Sequence, residues 1–405
     1  VTQYATSGME AVLHGPEKPD ERSGRAWGAV ISLALGTFGL ATAEVLPAAV
    51  LTPLMHGLGV TAGEAGQALT ATAIAAAIAA PTMALITKRL DRRTIICAMT
   101  LLQILSNVLS ALAWSLPLLL TGRVVLGIAL GGFWSISASL AGRLVPSHLL
   151  PRALLVILTG VSIAHVCAGP FGVYVGDRWG WQAPFIIVAA LGAATLVVQL
   201  MSIPRLPPVG VKSLRSLLNV ANDPTIKVAL VVILLAASGH FAGLTYMRPF
   251  LEQVPALDSD TIWRVLLAFG VVGLFGNFAG SFLARYSLKA IAALAPLLIA
   301  IAAASLVMVG ASALAATVAV LLWGFAFGAV PVALQTWVVL RAAPGQAESA
   351  GVLMTATFQV AIAAGASFGG LLAYHVSLVS VFGYSAVATC LAALTVFLLG
   401  PKRET

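Results

Sequence analysis

One carboxylate, Glu44, stands in the middle of a long apolar run, and no other acid lies as deep in any apolar segment. An acidic group at the centre of a membrane-crossing helix costs about 2.5–3.5 kcal/mol to insert. Helices that keep one turn it toward a cavity, where it carries protons or holds a ligand; the alternative is a Glu bonded for good to a neighbouring helix. Arg123 lies about one turn inside another apolar run. It either snorkels to the nearer surface or serves as a fixed cation beside an exchanging acid, where it bears on when the proton leaves. His165 and His240 also fall within apolar runs. Imidazole titrates in the physiological range, so both are candidates for proton or ligand work, against the plainer role of a hydrogen-bonded strut. Ten aromatic and amide residues recur in the same runs: Phe133, Trp134, Phe241, Tyr246, Trp323, Phe327, Gln335, Trp337, Phe358 and Gln359. Such residues stack on a flat ring or an apolar sugar face and bond polar edges. About half of these aromatics are expected to pack against lipid or other helices instead.

The elements that must position these residues are set by composition. Of 405 residues 60% are hydrophobic and 9% charged, against about 25% charged in a soluble domain, and mean hydropathy is +1.01. A soluble enzyme, a nucleic-acid binder, a disordered chain and a disulfide scaffold are all excluded on this ground. Apolar runs recur about every 30 residues, and about 20 residues cross a hydrocarbon core of about 30 Å. Twelve spans are predicted, near 27–55, 65–87, 94–114, 117–142, 153–176, 183–203, 227–250, 263–284, 288–309, 313–340, 349–373 and 377–399. The expected architecture is an all-α membrane protein of two six-helix halves, 27–203 and 227–399. A linker at 204–226 joins them, and tails at 1–26 and 400–405 flank them.

All but four of the 22 Lys and Arg lie in the tails or in links on one side of this pattern; the exceptions are Arg123, Arg178, Arg248 and Arg264. Basic residues mark the cytoplasmic side, so both termini and the linker are predicted to be cytoplasmic, in the inner membrane of a bacterium. The polar run up to residue 26 lacks the short apolar core of a signal peptide and reads as a cytoplasmic tail. The halves echo each other. Gly127-Ile-Ala-Leu-Gly131 in span four recurs 197 residues on as Gly324-Phe-Ala-Phe-Gly328 in span ten. Gly169 in span five recurs 196 residues on as Gly365 in span eleven. Parallel halves around a central site are one design of secondary transporters.

Several chemistries are set aside. Cys97, Cys167 and Cys390 lie far apart in apolar runs and are expected to be small buried hydrophobes; no metal spacing is present. Gly365-Ala-Ser367-Phe-Gly369 matches a hydrolase pattern, but that motif needs a strand-to-helix elbow, and here it falls inside an apolar span. No nucleotide-binding Gly-x-x-x-x-Gly-Lys-Ser/Thr run occurs. No catalytic residue, metal or cofactor is expected; a proton gradient would supply the energy.

The motifs carry a resemblance. Thr42-Ala-Glu44-Val-Leu-Pro47 resembles the Thr-x-Glu-Phe-x-Pro signature of twelve-span drug:proton antiporters. Gly122-Arg123-Val-Val-Leu-Gly127, followed by Gly131-Gly-Phe133-Trp134, resembles their span-four basic motif. Gly160 with Gly169-Pro170-x-Gly172-x-x-x-Gly176 resembles their span-five antiporter motif. Arg89, Arg92 and Arg93 fit the loop after span two, although Ala84, Lys88 and Asp91 replace its Gly, Asp and second Gly. The chain is thus identified as similar to the major facilitator superfamily, in its drug:proton antiporter branch. The runs Gly131–Leu140 with Arg143–Pro146, Thr245-Tyr-Met-Arg-Pro249 and Val330–Trp337 are most like purine ribonucleoside efflux pumps, with sugar efflux transporters next. The resemblance implies a monomer that exports a small molecule against protons by alternating access. Glu44, Arg123, His165 and His240 would serve coupling, the aromatics and amides the cargo, and the glycine and arginine motifs the conformational change, with Gly169-Pro170 as a hinge. Sugars and mixed hydrophobic drugs are the alternative cargos, and a passive facilitator the alternative mechanism.

Overall fold

A computed structural model describes residues 19–86, 90–146, 149–206, 220–284, 286–341 and 347–400. Its helices are α1 (Pro19–Ala49), α2 (Leu51–Leu58), α3 (Ala62–Ile86), α4 (Arg92–Ala111), α5 (Leu116–Leu144), α6 (Leu150–Trp179), α7 (Ala183–Ser202), α8 (Pro224–Gln253), α9 (Ser259–Ala284), α10 (Leu288–Val309), α11 (Ala313–Arg341), α12 (Ala347–His375) and α13 (Leu378–Leu399). Eleven are long and apolar enough to cross a membrane, and α3, at 25 residues, completes the twelve expected spans, with α1 and α2 together making span one.

Helix ends follow local chemistry. Thr61 and Glu64 form a reciprocal capping box at α3: Thr61 N–H donates to Glu64 Oε2 at 2.8 Å, and Glu64 N–H to Thr61 Oγ1 at 3.3 Å. Asp223 accepts from Thr225 and Ile226 N–H ahead of Pro224 at the first turn of α8. Asp91, which stands where the family loop has a glycine, caps α4 by accepting from Arg93 N–H at 2.8 Å and Thr94 N–H at 3.4 Å. Two expectations are corrected. The chain is already helical from Pro19 rather than 27, because Pro, Asp and Glu suit a first turn. Span one is not continuous but breaks at Val50, because Pro53 has no N–H to give the Ala49 carbonyl one turn back. Most of the predicted linker, 207–219, lies outside the described residues, as does Arg89.

Helix pairing shows the duplication directly. Within spans one to six, α1 packs on α6 and α7, α3 on α5, and α4 on α5 and α7. Six spans on, α8 packs on α12 and α13, α9 on α11, and α10 on α11 and α13. Two further pairings, α3 with α12 and α6 with α9, join the first six spans to the last six and are themselves six-span equivalents. The repeated glycines explain the close approach. A Cβ on Gly131 would meet the Ala76 carbonyl on α3, and one on Gly328 would strike the Gly273 carbonyl on α9. The second pair does not match in this way: Gly365 faces the Ser238 carbonyl on α8, whereas its sequence counterpart Gly169 meets only the Leu266 side chain on α9, and it is Gly160 that faces the Ala34 carbonyl on α1. In lipid, close backbone packing is a main source of helix association. The three cysteines are free, but Cys167 and Cys390 are exposed rather than buried: in an apolar solvent a thiol needs no protein cover.

Candidate functional site

Between spans one, five, seven, eight and ten lies a small cavity of about 70 Å³, below the about 300–1,000 Å³ usual for an open small-molecule site, as fits a bundle whose halves are closed over it. His165, His240, Phe241 and Phe327 line it together with Val45, Met247, Arg248 and Phe269. A neighbouring space of about 80 Å³ shares His165, Phe269 and Phe327 and adds Asn277 and Gly328. The walls are mostly apolar and aromatic. Phe241 meets Phe327 edge-on at 6.1 Å and Phe358 edge-on at 5.9 Å.

Glu44 is reached from the opposite half of the bundle. Gln359 on α12 donates through Nε2 to Glu44 Oε1 at 3.0 Å. The amide is 5% exposed, and its own oxygen has no partner among the described residues. A charge change on Glu44 therefore acts on a bond that holds spans one and eleven together.

Arg123 does not snorkel. It is fully buried, donating to the Ala43 carbonyl at 2.9 Å and to Ser106 and Ser110 Oγ at 3.2 and 2.7 Å. Its guanidinium lies 5.1 Å from the centroid of the Phe185 ring. A buried cation costs several kcal/mol of desolvation; three charge-assisted bonds and an aromatic face offset it. Arg123 thus grips the peptide next to Glu44 rather than the carboxylate, and ties α5 to α1 and α4.

His165 is exposed although it lies mid-bundle, because it opens onto both spaces. His240 is fully buried. It accepts at Nδ1 from Trp323 Nε1 at 2.8 Å.

At the mouth opposite the chain termini, a polar cluster closes the halves. Arg248 on α8 donates to Asp177 on α6 at 2.6 Å, to the Ala49 carbonyl at the end of α1 at 2.7 Å, and to Glu252 one turn on at 2.8 Å. Thr52 on α2 donates to Glu252 Oε2 at 2.5 Å. Further out, Arg178 reaches Asp260 at 3.4 Å. Tyr246, expected in the cavity, instead lies where α8 meets α3 and α12, donating to the Ala366 carbonyl at 3.1 Å against Gly66 and Gly370.

Of the residues singled out from sequence, His165, His240, Phe241 and Phe327 share the cavity, with Phe358 packed on Phe241 and Gln359 bonded to Glu44. Phe133 and Trp337 are buried in helix packing and Gln335 is exposed away from it; Trp134 packs on the core. Trp323 stands behind His240. Gly169 and Pro170 lie within the continuous α6, Gly169 at the cavity wall, while Gly172 and Gly176 face Ala49 and Val50. Arg92 N–H donates to the Leu206 carbonyl at 3.1 Å, and Arg93 donates to that of Leu200. Ser367 is mid-helix in α12 and bonds Thr70 at 3.0 Å, not an elbow. Sequence reading missed the Arg248 cluster: Arg248 stands out there only as a basic residue away from the basic-rich side, within the Tyr-Met-Arg-Pro run.

Two symmetric sets of six spans around a polar-edged aromatic cavity define a membrane transporter for a small-molecule cargo, and the chain belongs to the Major Facilitator Superfamily, whose family model matches residues 33–366. Among curated proteins it is 36% identical over 376 residues to the purine ribonucleoside efflux pump NepI of Salmonella enteritidis PT4, covering 93% of this chain and 94% of that protein. It is likewise 36% identical over 370 residues to NepI of Shigella sonnei, covering 91% and 93%. Among solved structures it resembles a bacterial homologue of the human lysosomal transporter Spinster, inward-facing and occupied, with a TM-score of 0.77, 19% identity, and coverage of 91% of this chain and 95% of the other. It also resembles a D-xylose–proton symporter, with a TM-score of 0.76, 16% identity, and coverage of 94% and 98%.

Proposed function

We propose that this chain exports purine nucleosides from a bacterial cytoplasm in exchange for protons, by alternating access, as a monomer with both termini cytoplasmic. The cargo reading is supported by the 36% identity over nearly the whole chain to purine ribonucleoside efflux pumps. The coupling reading rests on one observation: Glu44 is bridged by Gln359 across the two halves. With Glu44 ionised, Gln359 donates to a full negative charge and the bridge is strong. A proton on Glu44 weakens it and frees spans one and eleven to part.

The driving force is adequate. One proton moving down 100 mV yields about 2.3 kcal/mol, and each pH unit adds about 1.4 kcal/mol. With one unit of pH gradient the two support a concentration ratio of about several hundred for a neutral cargo. The test is transport of labelled inosine, arabinose and a lipophilic cation in vesicles, with and without an imposed pH gradient. Gradient-dependent inosine movement alone is expected. Movement of arabinose or the cation but not inosine would refute the cargo, and gradient-independent inosine movement would refute the coupling.

A further inference from the structure

His240 lines the cavity, whereas Trp323, which bonds it, does not. An indole N–H only donates, so the imidazole Nδ1 that receives it carries a lone pair. In the neutral ring the proton then sits on Nε2. The indole cannot easily turn away. It is fully buried, meets Phe382 edge-on at 5.9 Å, and fills the space a Cβ on Gly243 would need. Phe327 covers one face of the imidazole, the planes within 1° and the centroids 3.3 Å apart, and Phe241 abuts its edge at 4.9 Å. Position and tautomer are thus fixed from three sides. Nε2, on the edge away from the indole, is buried and has no hydrogen-bond partner among the described residues. Buried polar atoms in native proteins almost always find partners, so one left over on a cavity-lining residue calls for a ligand that meets it when the cavity widens.

We propose that the Nε2–H of His240 donates a hydrogen bond to the cargo and selects flat ring systems that carry an acceptor on their edge. The proposal rests on the nucleoside reading above. N7 is the edge acceptor that adenine, guanine and related bases share, and Phe241 and Phe327, mutually perpendicular on the cavity wall, supply aromatic surface beside it. The same geometry makes His240 a poor proton carrier. A second proton would have to enter at Nδ1, breaking the Trp323 bond and stranding a buried indole N–H.

The test compares binding of inosine and 7-deazainosine, which replaces N7 by C–H, to the purified full-length protein. The wild type should bind the deaza analogue about tenfold more weakly. His240→Asn keeps an acceptor near Nδ1 for Trp323 but has nothing at Nε2. It should lose about tenfold for inosine and no longer distinguish the two ligands, while His240→Gln, with an amide N–H near Nε2, should recover part of the preference. An undiminished preference in His240→Asn, or none in the wild type, overturns the proposal. Should the variants not fold, nitrogen NMR of the wild type decides: a protonated Nδ1 overturns it, and a protonated Nε2 with a bare Nδ1 supports it. A wild type that binds no nucleoside overturns the cargo reading, and this inference falls with it.

Discussion

Asp177→Asn should unlatch the mouth opposite the chain termini, the outer one in the proposed orientation. In the closed form Arg248 is 4% and Asp177 22% exposed, and they meet at 2.6 Å across the two halves. Asparagine keeps the volume and one acceptor oxygen but removes the charge. Arg248 retains Glu252 on its own helix and the Ala49 carbonyl, so it is weakened rather than stranded. A hydrogen bond to a charged group contributes about 1.5–3 kcal/mol. When the mouth opens, water solvates both ions, so that contribution belongs to the closed form alone. A loss of about 2 kcal/mol shifts the closed-to-open ratio about thirtyfold. The assay is alkylation, from outside, of a cysteine at Ala48, a 6%-exposed cavity residue behind the cluster, in a background without Cys97, Cys167 and Cys390. Its rate follows the open population and should rise toward thirtyfold. Asp260→Asn is the matched control. Its pair with Arg178 is 3.4 Å long and 42% and 56% exposed, and an exposed pair contributes about 0–1 kcal/mol, so the rate should change less than about fivefold. No acceleration in Asp177→Asn, or equal acceleration in both, would refute the latch.

Four other outcomes are expected. Glu44→Gln, which mimics the protonated acid, should exchange cargo across vesicle membranes yet lose pH-driven uphill movement; normal uphill transport would move the coupling role elsewhere, to His165 first. Arg123→Lys cannot reproduce the fork that holds Ala43, Ser106 and Ser110 together and should lower thermal stability by about 2 kcal/mol, read from a melting curve in detergent. Gly328→Val would drive a side chain into the Gly273 carbonyl, whereas a Cβ on Gly351 meets nothing within 4 Å. The first should abolish folded yield on size-exclusion chromatography, and Gly351→Ala should raise stability by about 0.5–1 kcal/mol. In the cysteine-free background, Ser312→Cys should react with an impermeant reagent on intact cells and Ser213→Cys only after the cells are opened; the reverse pattern would invert the orientation.

Composition and hydropathy were enough for the class and the span count, because lipid leaves a chain this apolar few other ways to satisfy its backbone. The glycine pentads were legible for the same reason: close helix contact in lipid needs small residues, and Gly127–Gly131 and Gly324–Gly328 indeed pack equivalent helix pairs. Glu44 stood out because a lone acid in an apolar run is expensive. What sequence could not show is which residues face which partner. Arg248 looked like one of a few basic residues away from the basic-rich side, since its partners Asp177 and Ala49 are 71 and 199 residues away. Arg123 read as a possible snorkeller, although the fold buries it against the peptide beside Glu44. Phe133, Tyr246 and Trp337 have the same apolar aromatic character as Phe241 and Phe327, and only the rotation of each helix about its axis decides which ring meets the cavity and which meets another helix. In a bundle where nearly every face is apolar, the hydropathy pattern carries little of that rotation; packing between distant spans sets it.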